Sequence, residues 1–503
     1  MNPSSPPDLP SRLRSALVTA GFTYDAVAEV LGPVAHAALA RNETAPGLRR
    51  TTGGSPLETL VRLFLLQAPV GLAAAEAALP GLVDRMAAEG LLERTVGEVG
   101  ARLDVRPYAV DDADGARDLW LVSDLTPGLD GSPNRVGTDH VLGISSASTS
   151  LAQLTLREPV GRSLDLGTGC GVQALHLARH SDQVIATDVN RRALWMTRFN
   201  AALNEVAPRI DVREGSFFEP VRDERFDLIA TNPPFVISPA TGERLVYRDS
   251  GLPGDRVVED IVRNAPGHLT EGGWAQILAN WVISRDHPWD ERLAGWVADG
   301  CDAYVVQREI LDPAAYVELW LKDAGLHGGP GYRERYDTWL SWFDDQRIEA
   351  VGFGWINLRR AAASTGSTTE RTRHLLEWPY DVEQPIAPAI RDWAAASDVQ
   401  VGLGTRLLVR PDIQQETLGA PGAEDPEVVL LRQQHGLRRA RQVDTVEAAL
   451  VGACDGELTV GQILDALAHL LELDPAQTRD TYLPVVGELI SEGFLEAPRG
   501  KDL

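Results

Sequence analysis

Three short stretches in the middle of the chain carry residues able to do chemistry, each at the end of an apolar run. The first is DLGTGCG, Asp165–Gly171. Glycines after a strand permit a sharp turn and let a ligand approach the backbone closely. The amides that open the next helix can then contact that ligand. Gly169–Ala174 also satisfies the G-x-G-x-x-A form of a dinucleotide site. The second is Asp188, ending the apolar run IATD. A carboxylate there can accept hydrogen bonds from both ribose hydroxyls of a nucleoside cofactor. The alternative is a helix start, with Asp188 or Asn190 as the N-cap.

The third stretch separates these readings. FDLIATNPPF, Phe226–Phe235, ends an apolar run in Asn232-Pro233-Pro234-Phe235. The two prolines remove backbone donors and fix φ, so the carbonyls before them point away from regular structure. The Asn232 side-chain oxygen and the Pro233 carbonyl can then both accept from one planar NH₂ group. Phe235 offers a flat face on which a base or amide can stack. A nicotinamide-dependent dehydrogenase has no use for that tetrapeptide at that place. The polar segment that follows, Val236–Asp255, is a long loop of the functional or disordered kind. Within it Tyr247, Arg248 and Asp249 are candidates for shaping a substrate mouth, or for packing the loop alone.

These residues need a scaffold that brings strand ends together. RSLDLG, QVIATD, IDVREG, FDLIATN, Trp274–Asn280, Cys301–Gln307 and Ala350–Arg360 read as strands. Val172–Arg179, Arg191–Leu203 and Leu293–Asp299 read as helices between them. Apolar strands alternating with helices predict a doubly wound, mostly parallel sheet of seven strands. A helical insertion, about Pro313–Phe343, separates the last two strands. Its Tyr316, Trp320, Tyr336, Trp339 and Trp342 read mostly as core, with an aromatic substrate wall as the other reading.

DLGTGCG, Asp188 and NPPF in this order resemble the amino-methylating class I methyltransferases. That group takes in release-factor glutamine, guanine-N2 rRNA and adenine exocyclic-amine methyltransferases. The resemblance implies a Rossmann-like core and S-adenosylmethionine as cofactor. It implies that Asp165, Gly167, Gly169 and Gly171 hold the methionine half of the cofactor and Asp188 the ribose. Ser216 and Phe217, in GSFFEP, take the positions beside the adenine. Asn232, Pro233 and Phe235 become the catalytic group, with Pro234 and Tyr247 toward the substrate. The chain departs from the glutamine methyltransferases at two places. They usually carry Asp where Ser216 stands and Tyr where Phe235 stands. The phenylalanine form resembles the nucleic-acid enzymes.

Around the core, residues 136–360, the organisation reads as a tail (1–12), an N-terminal domain (13–130), an extension (361–417) and a C-terminal domain (426–503). The N-terminal domain reads as helices to about Leu92, followed by a two-stranded wing, Gly100–Val110 and Asp118–Leu125. The C-terminal domain reads as amphipathic helices, Leu458–Asp474 and Tyr482–Gly493, after a linker at Leu418–Asp425. Both look helical or winged-helix-like. Winged helices often bind DNA, but a reading helix needs Arg, Lys, Asn or Gln pointing outward, and the helix before the first wing offers Asp84, Arg85 and Glu89.

The chain has 503 residues and a net charge of -25. Its general surface therefore repels phosphate backbones, since non-specific nucleic-acid binding is mostly Lys and Arg displacing counterions. Protein, peptide or small-molecule substrates are favoured on that ground, with RNA kept as the alternative. Cys170, Cys301 and Cys454 lack metal-ligand spacing, so no metal is expected and a reducing cytoplasm fits. No apolar run reaches the ~18 residues of a membrane span. The expectation is an N-methyltransferase acting on a planar amide or amino nitrogen. The alternatives are an RNA or DNA base amino-methyltransferase, a dinucleotide-dependent oxidoreductase, and a non-catalytic protein keeping a degenerate cofactor fold.

Overall fold

The structure, a computed structural model, describes residues 8–112, 115–132, 136–239, 252–361, 371–421 and 426–498. The chain divides into two compact units, Met1–Ala152 with Arg157–Trp378, and Gln153–Leu156 with Pro379–Leu503.

The first unit is built on one large sheet. Ahead of it runs a hairpin, β1 (Leu103–Asp112) and β2 (Gly115–Asp124). The sheet strands are β3 (Val160–Leu166), β4 (Ser181–Asp188), β5 (Ile210–Glu214), β6 (Phe226–Thr231), β7 (Leu269–Ser284), β8 (Cys301–Leu311), β9 (Ile348–Arg360) and β10 (Arg373–Glu377). Their order across the sheet is β10-β8-β9-β7-β6-β3-β4-β5. Only β9 runs antiparallel to its neighbours. Leu164, Ile185, Ile229 and Ile277 are wholly buried in these strands, as expected for parallel strands covered on both faces.

All seven expected strands are present, and an eighth joins them. Strand β10 lies in the stretch read as an extension and pairs in parallel with β8. Helix α1 (Val172–Leu177) follows β3 and α2 (Arg191–Leu203) follows β4. The helix expected at Leu293–Asp299 runs instead over Trp289–Ala294, after Pro288 and before Gly295. The insertion is two helices, α3 (Pro313–Asp323) and α4 (Tyr332–Asp345), separated by Gly325, Gly328 and Gly331, all at positive φ. Tyr316, Trp320, Trp339 and Phe343 are buried in the core that α3 and α4 make with β9. Tyr336 and Trp342 are half-buried at its margin.

The hairpin expected to be a wing does a different job. Its edge strand β2 docks on α2 through side-chain amides: Asn204 Oδ1 accepts from Trp120 N at 2.9 Å and Asn200 Oδ1 from Val122 N at 2.8 Å. Alternating strand residues could be read from sequence, but the partner that satisfies the strand edge could not. The helical stretch before it is also interrupted. Val70–Gly71, Leu92–Arg94 and Glu98–Ala101 form a separate three-stranded antiparallel sheet.

In the second unit, Ile413–Leu418 pairs with Val428–Gln433. The Pro- and Gly-rich stretch read as a linker therefore joins two strands of one sheet; turns and linkers share that composition. The helices expected near the end run over Val460–Leu470 and Pro475–Ser491. Arg441 ties the second of these to the helix Thr445–Gly452 by pairing with Glu447, Glu488 and Glu492. Among the described residues, no helix is long and apolar enough to cross a membrane.

Candidate active site

The sheet order reverses at β3. The chain moves from β3 to β4 and β5 on one side, then returns to β6 on the other. Open α/β sheets bind ligands outside the carboxyl ends of their strands at such a switch point. Register puts Leu166 opposite both Thr187 and Thr231, and Asp188 opposite Glu214. Gly167, Asp188, Ser216 and Asn232 thus all leave the same edge of the sheet.

The glycine loop is shaped by its neighbours. The amides of Gly167 and Thr168 both donate to the Thr187 carbonyl at 2.9 Å. Gly167, Gly169 and Gly171 all have positive φ, at +78°, +56° and +87°, where a side chain would be strained. Their surroundings differ. A Cβ at Gly167 or Gly169 would meet nothing within 4 Å, whereas one at Gly171 would stand 3.2 Å from the Thr197 Cα. Two glycines therefore face open space, and the third lets α2 pack against the loop.

Asp165 sits beneath this loop, only 1% exposed. Its Oδ2 accepts from the Thr168 hydroxyl at 2.6 Å and the Ala174 amide at 2.9 Å. Burial pushes its carboxyl up to about 7, against the pull of those two bonds. Asp165 holds the loop in shape. Cys170, also in the loop, is buried and its thiol is pushed up to about 12 by burial, which leaves it protonated and inert.

Asp188 is not the helix cap. The Asn190 side chain takes that part, accepting from Arg192 N at 2.9 Å. Asp188 accepts from Gly169 N through Oδ2 at 2.9 Å and from Asn190 N through Oδ1 at 2.8 Å. Burial raises its carboxyl above the ordinary range, and those amides hold it back. A carboxylate offers about four acceptor sites, so Asp188 keeps acceptor capacity beyond the amides of Gly169, Val189 and Asn190. Asn190 also reaches out with Nδ2 to the Asp139 carbonyl at 2.9 Å. The segment entering the domain is thereby anchored two residues from Asp188.

After β5, Ser216 is exposed and Phe217 is 38% exposed, at φ +44°. The next residue, Phe218, is buried and stacks on His268, with ring centroids 4.4 Å apart. The strained turn thus sends one phenylalanine into the core and leaves its neighbour outside.

The NPPF segment leaves β6. Thr231 donates its hydroxyl to the Leu166 carbonyl at 2.7 Å. Asn232 is half-buried, and its side-chain oxygen is buried without a hydrogen-bond partner among the described residues. Pro233 is buried, Pro234 and Phe235 half-buried. The Phe235 ring meets Trp320 edge to face, centroids 6.2 Å apart. Beyond it, Ile237 is gripped from two sides: its amide donates to Tyr316 Oη at 2.9 Å, and its carbonyl accepts from Trp339 Nε1 at 3.0 Å. The aromatic insertion therefore fixes the exit of the NPPF segment. Tyr247, Arg248 and Asp249 lie outside the described residues.

Sequence reasoning missed Thr168, Thr197, Asn200 and Thr231, which shape the site from behind. One signal was present: Asn200 and Asn204 stand four apart among apolar residues in RFNAALNEV, and buried amides require partners. Among the described residues, no cluster of three or more metal-ligating side chains occurs.

Residues 143–293 match the family "Methyltransferase small domain". Residues 19–102 and 389–497 match two families described as domains of unknown function. The chain is similar to the release factor glutamine methyltransferase of Xylella fastidiosa, 36% identical over 148 residues, covering 26% of this chain and 49% of the relative. It is similar to the ribosomal protein uL3 glutamine methyltransferase of Bradyrhizobium diazoefficiens, 36% identical over 124 residues, covering 23% of this chain and 39% of the relative. It is also similar to the ribosomal RNA small subunit methyltransferase C of Hamiltonella defensa, 37% identical over 123 residues, covering 24% of this chain and 32% of the relative. The chain thus spans half or less of the length of these relatives. Residues 143–293, with the glycine loop, Asp188 and NPPF at one sheet edge, are a class I, S-adenosylmethionine-dependent methyltransferase domain of the small-domain group.

Proposed function

We propose that this protein is an N-methyltransferase that transfers the methyl group of S-adenosylmethionine to a planar amide or amino nitrogen of a protein, peptide or small molecule. The observation that carries this reading is the Asn232 side-chain oxygen, buried at the end of β6 with no partner among the described residues. A buried acceptor left unpaired costs about 1–3 kcal/mol. An NH₂ donor arriving there would satisfy it.

The residues present fit the cofactor. Gly167 and Gly169 open onto free space, where the methionine half would lie against the backbone. Asp188 would take the ribose hydroxyls with its remaining acceptor capacity. The exposed ring of Phe217, with Ser216, would flank the adenine. The bound cofactor supplies an electrophilic methyl group on a sulfonium.

The protein's own work is positioning and electrostatics. Asn232 Oδ1 and the Pro233 carbonyl would accept from the two N–H bonds of the substrate NH₂. That draws the nitrogen lone pair out of conjugation and aims it. Phe235, steadied by Trp320, would bound the site on one face, and Pro234 with Tyr247 would meet the rest of the substrate.

Two relatives named as glutamine methyltransferases support an amide acceptor in protein, and the net charge of -25 agrees. A base amine of RNA is the second reading, favoured by Phe235 and by the relative named as a ribosomal RNA methyltransferase. The test is methyl transfer from labelled S-adenosylmethionine into a lysate, split into protein, RNA and small-molecule fractions. Nuclease-resistant label in protein or small molecules supports the first reading. Label in RNA replaces it with the second.

A further inference from the structure

Helix α2 and the residue that caps its end carry a pair of buried asparagines, Asn200 and Asn204, that act as a substitute strand. Asn204 accepts from Trp120 N and donates to Trp120 O, at 2.9 and 2.8 Å. Asn200 does the same for Val122, at 2.8 Å in both directions. A residue four positions along a helix lies on the same face. Alternate residues of a strand likewise share their hydrogen-bonding edge. The two repeats match, so α2 satisfies the edge of β2 as another strand would.

The two asparagines differ in their remaining bond. Asn204 returns to its own helix, donating to the Asn200 carbonyl at 2.8 Å. Asn200 donates to the Cys170 carbonyl, also at 2.8 Å. Cys170 lies between Gly169 and Gly171 in the glycine loop. One turn earlier on α2, Thr197 donates to the Gly169 carbonyl at 3.0 Å. Asn200 is 0% exposed and Cys170 3%, so water cannot stand in for either partner.

We infer that Asn200 is a positioning residue for the cofactor loop, and that the β1–β2 hairpin sets cofactor affinity by holding Asn200 in place. Its amide is oriented by two bonds to the Val122 backbone, which leaves one N–H aimed at Cys170. That bond turns the Cys170 carbonyl inward and fixes the turn whose open glycines face the ligand. The hairpin never touches the ligand in this scheme; it acts through one side chain. The inference about affinity rests on the reading of the loop as an S-adenosylmethionine site. The inference about loop order does not.

Asn200→Ala and Asn204→Ala make a matched pair, since each removes two bonds to β2. Only the first frees the Cys170 carbonyl. Asn200→Asp serves if the alanine variant fails to fold, because it keeps an acceptor for Val122 N while losing the donors to Val122 O and Cys170 O. Hydrogen exchange is followed in the ligand-free protein at the loop peptide 165–175 and at β2. S-adenosylhomocysteine affinity is measured by calorimetry alongside. Asn200 variants are expected to speed loop exchange and weaken binding by about tenfold or more, whereas Asn204→Ala speeds exchange at β2 with a much smaller effect on the loop. Equal effects of both asparagines on the loop, or none, would overturn the inference. If the unaltered protein binds no S-adenosylhomocysteine, the cofactor reading fails, and the exchange comparison still decides the role of Asn200.

Discussion

Thr231 and Leu166 end neighbouring strands, and the Thr231 hydroxyl donates to the Leu166 carbonyl at 2.7 Å. One bond thereby ties the residue before Asn232 to the residue before Gly167. Thr231→Val keeps the shape and removes the bond. The expected cost is about 1–3 kcal/mol of stability, because the Leu166 carbonyl loses a buried partner. Denaturant melts measure it. A loss of methyl transfer beyond what the unfolded fraction explains is also expected, since both halves of the site shift together.

Asn232→Ala removes the unpartnered acceptor. Turnover is expected to fall by about a hundredfold or more, with cofactor affinity changed by about twofold at most. Titration calorimetry and methyl-transfer rates on one preparation separate the two quantities. Turnover preserved in this variant removes Asn232 from the reaction.

Asp188→Ala should behave in the opposite way. It takes the proposed ribose acceptor and also the partner of Gly169 N and Asn190 N. Cofactor affinity is expected to fall by about tenfold to a hundredfold, at about 1.4 kcal/mol per factor of ten. Asp188→Asn restores one acceptor oxygen, so its affinity should lie between. Calorimetry with S-adenosylhomocysteine checks both.

Tyr316→Phe strips a single hydroxyl from a fully buried ring. The Ile237 amide loses its acceptor and the exit of the NPPF segment loosens. Stability should drop by about 1–3 kcal/mol, with kcat lowered and cofactor affinity unchanged. A variant as active and as stable as the unaltered protein would show that Trp339 suffices to hold Ile237.

His176 gives the acid side of the stability curve a specific shape. Burial first, then the charge of Arg157, pushes its imidazole down to about 3 from 6.5, and it meets Tyr108 Oη at 3.1 Å. Between those values the unfolded chain takes up a proton that the folded chain refuses. Stability is therefore gained as pH rises from about 3 to about 6.5 and lost as it falls through that window. His176→Gln should flatten this limb, seen as a smaller difference between thermal melts at about pH 4 and about pH 7. An unchanged difference would mean that other groups set the acid limb.

The sheet was legible because its strands carry the signal themselves. Runs such as VIAT and DLIAT carry apolar residues on both faces, and punctuation by GTGCG and NPPF marks where strands end. The residues that leave the strand ends were legible for the same reason. What shapes the site from behind was not. Thr197, Asn200 and Thr231 bond to backbone carbonyls of other elements, and a carbonyl's position is a property of the fold rather than of any residue type. The docking of the hairpin was missed on the same account. Strands Leu103–Asp112 and Gly115–Asp124 were visible as alternation, but the asparagines that cover their edge stand 78 and 84 residues away in the chain. The Pro-rich stretch after Leu418 was ambiguous in kind, since a hairpin turn and a linker draw on the same residues.

The eighth strand has a bearing on how the protein behaves in solution. Strand β8 is eleven residues long and buried from Cys301 to Gln307. Without Arg373–Glu377 beside it, the backbone of Ala303–Gln307 would stand bare along a largely apolar edge, a ready template for a neighbouring molecule. The added strand is only five residues long and begins and ends with a charge, so the new outer edge is short and poorly suited to further growth. A chain cut between Arg360 and Arg373 would keep every residue of the glycine loop and NPPF, yet it would bare the edge of β8 to neighbouring molecules.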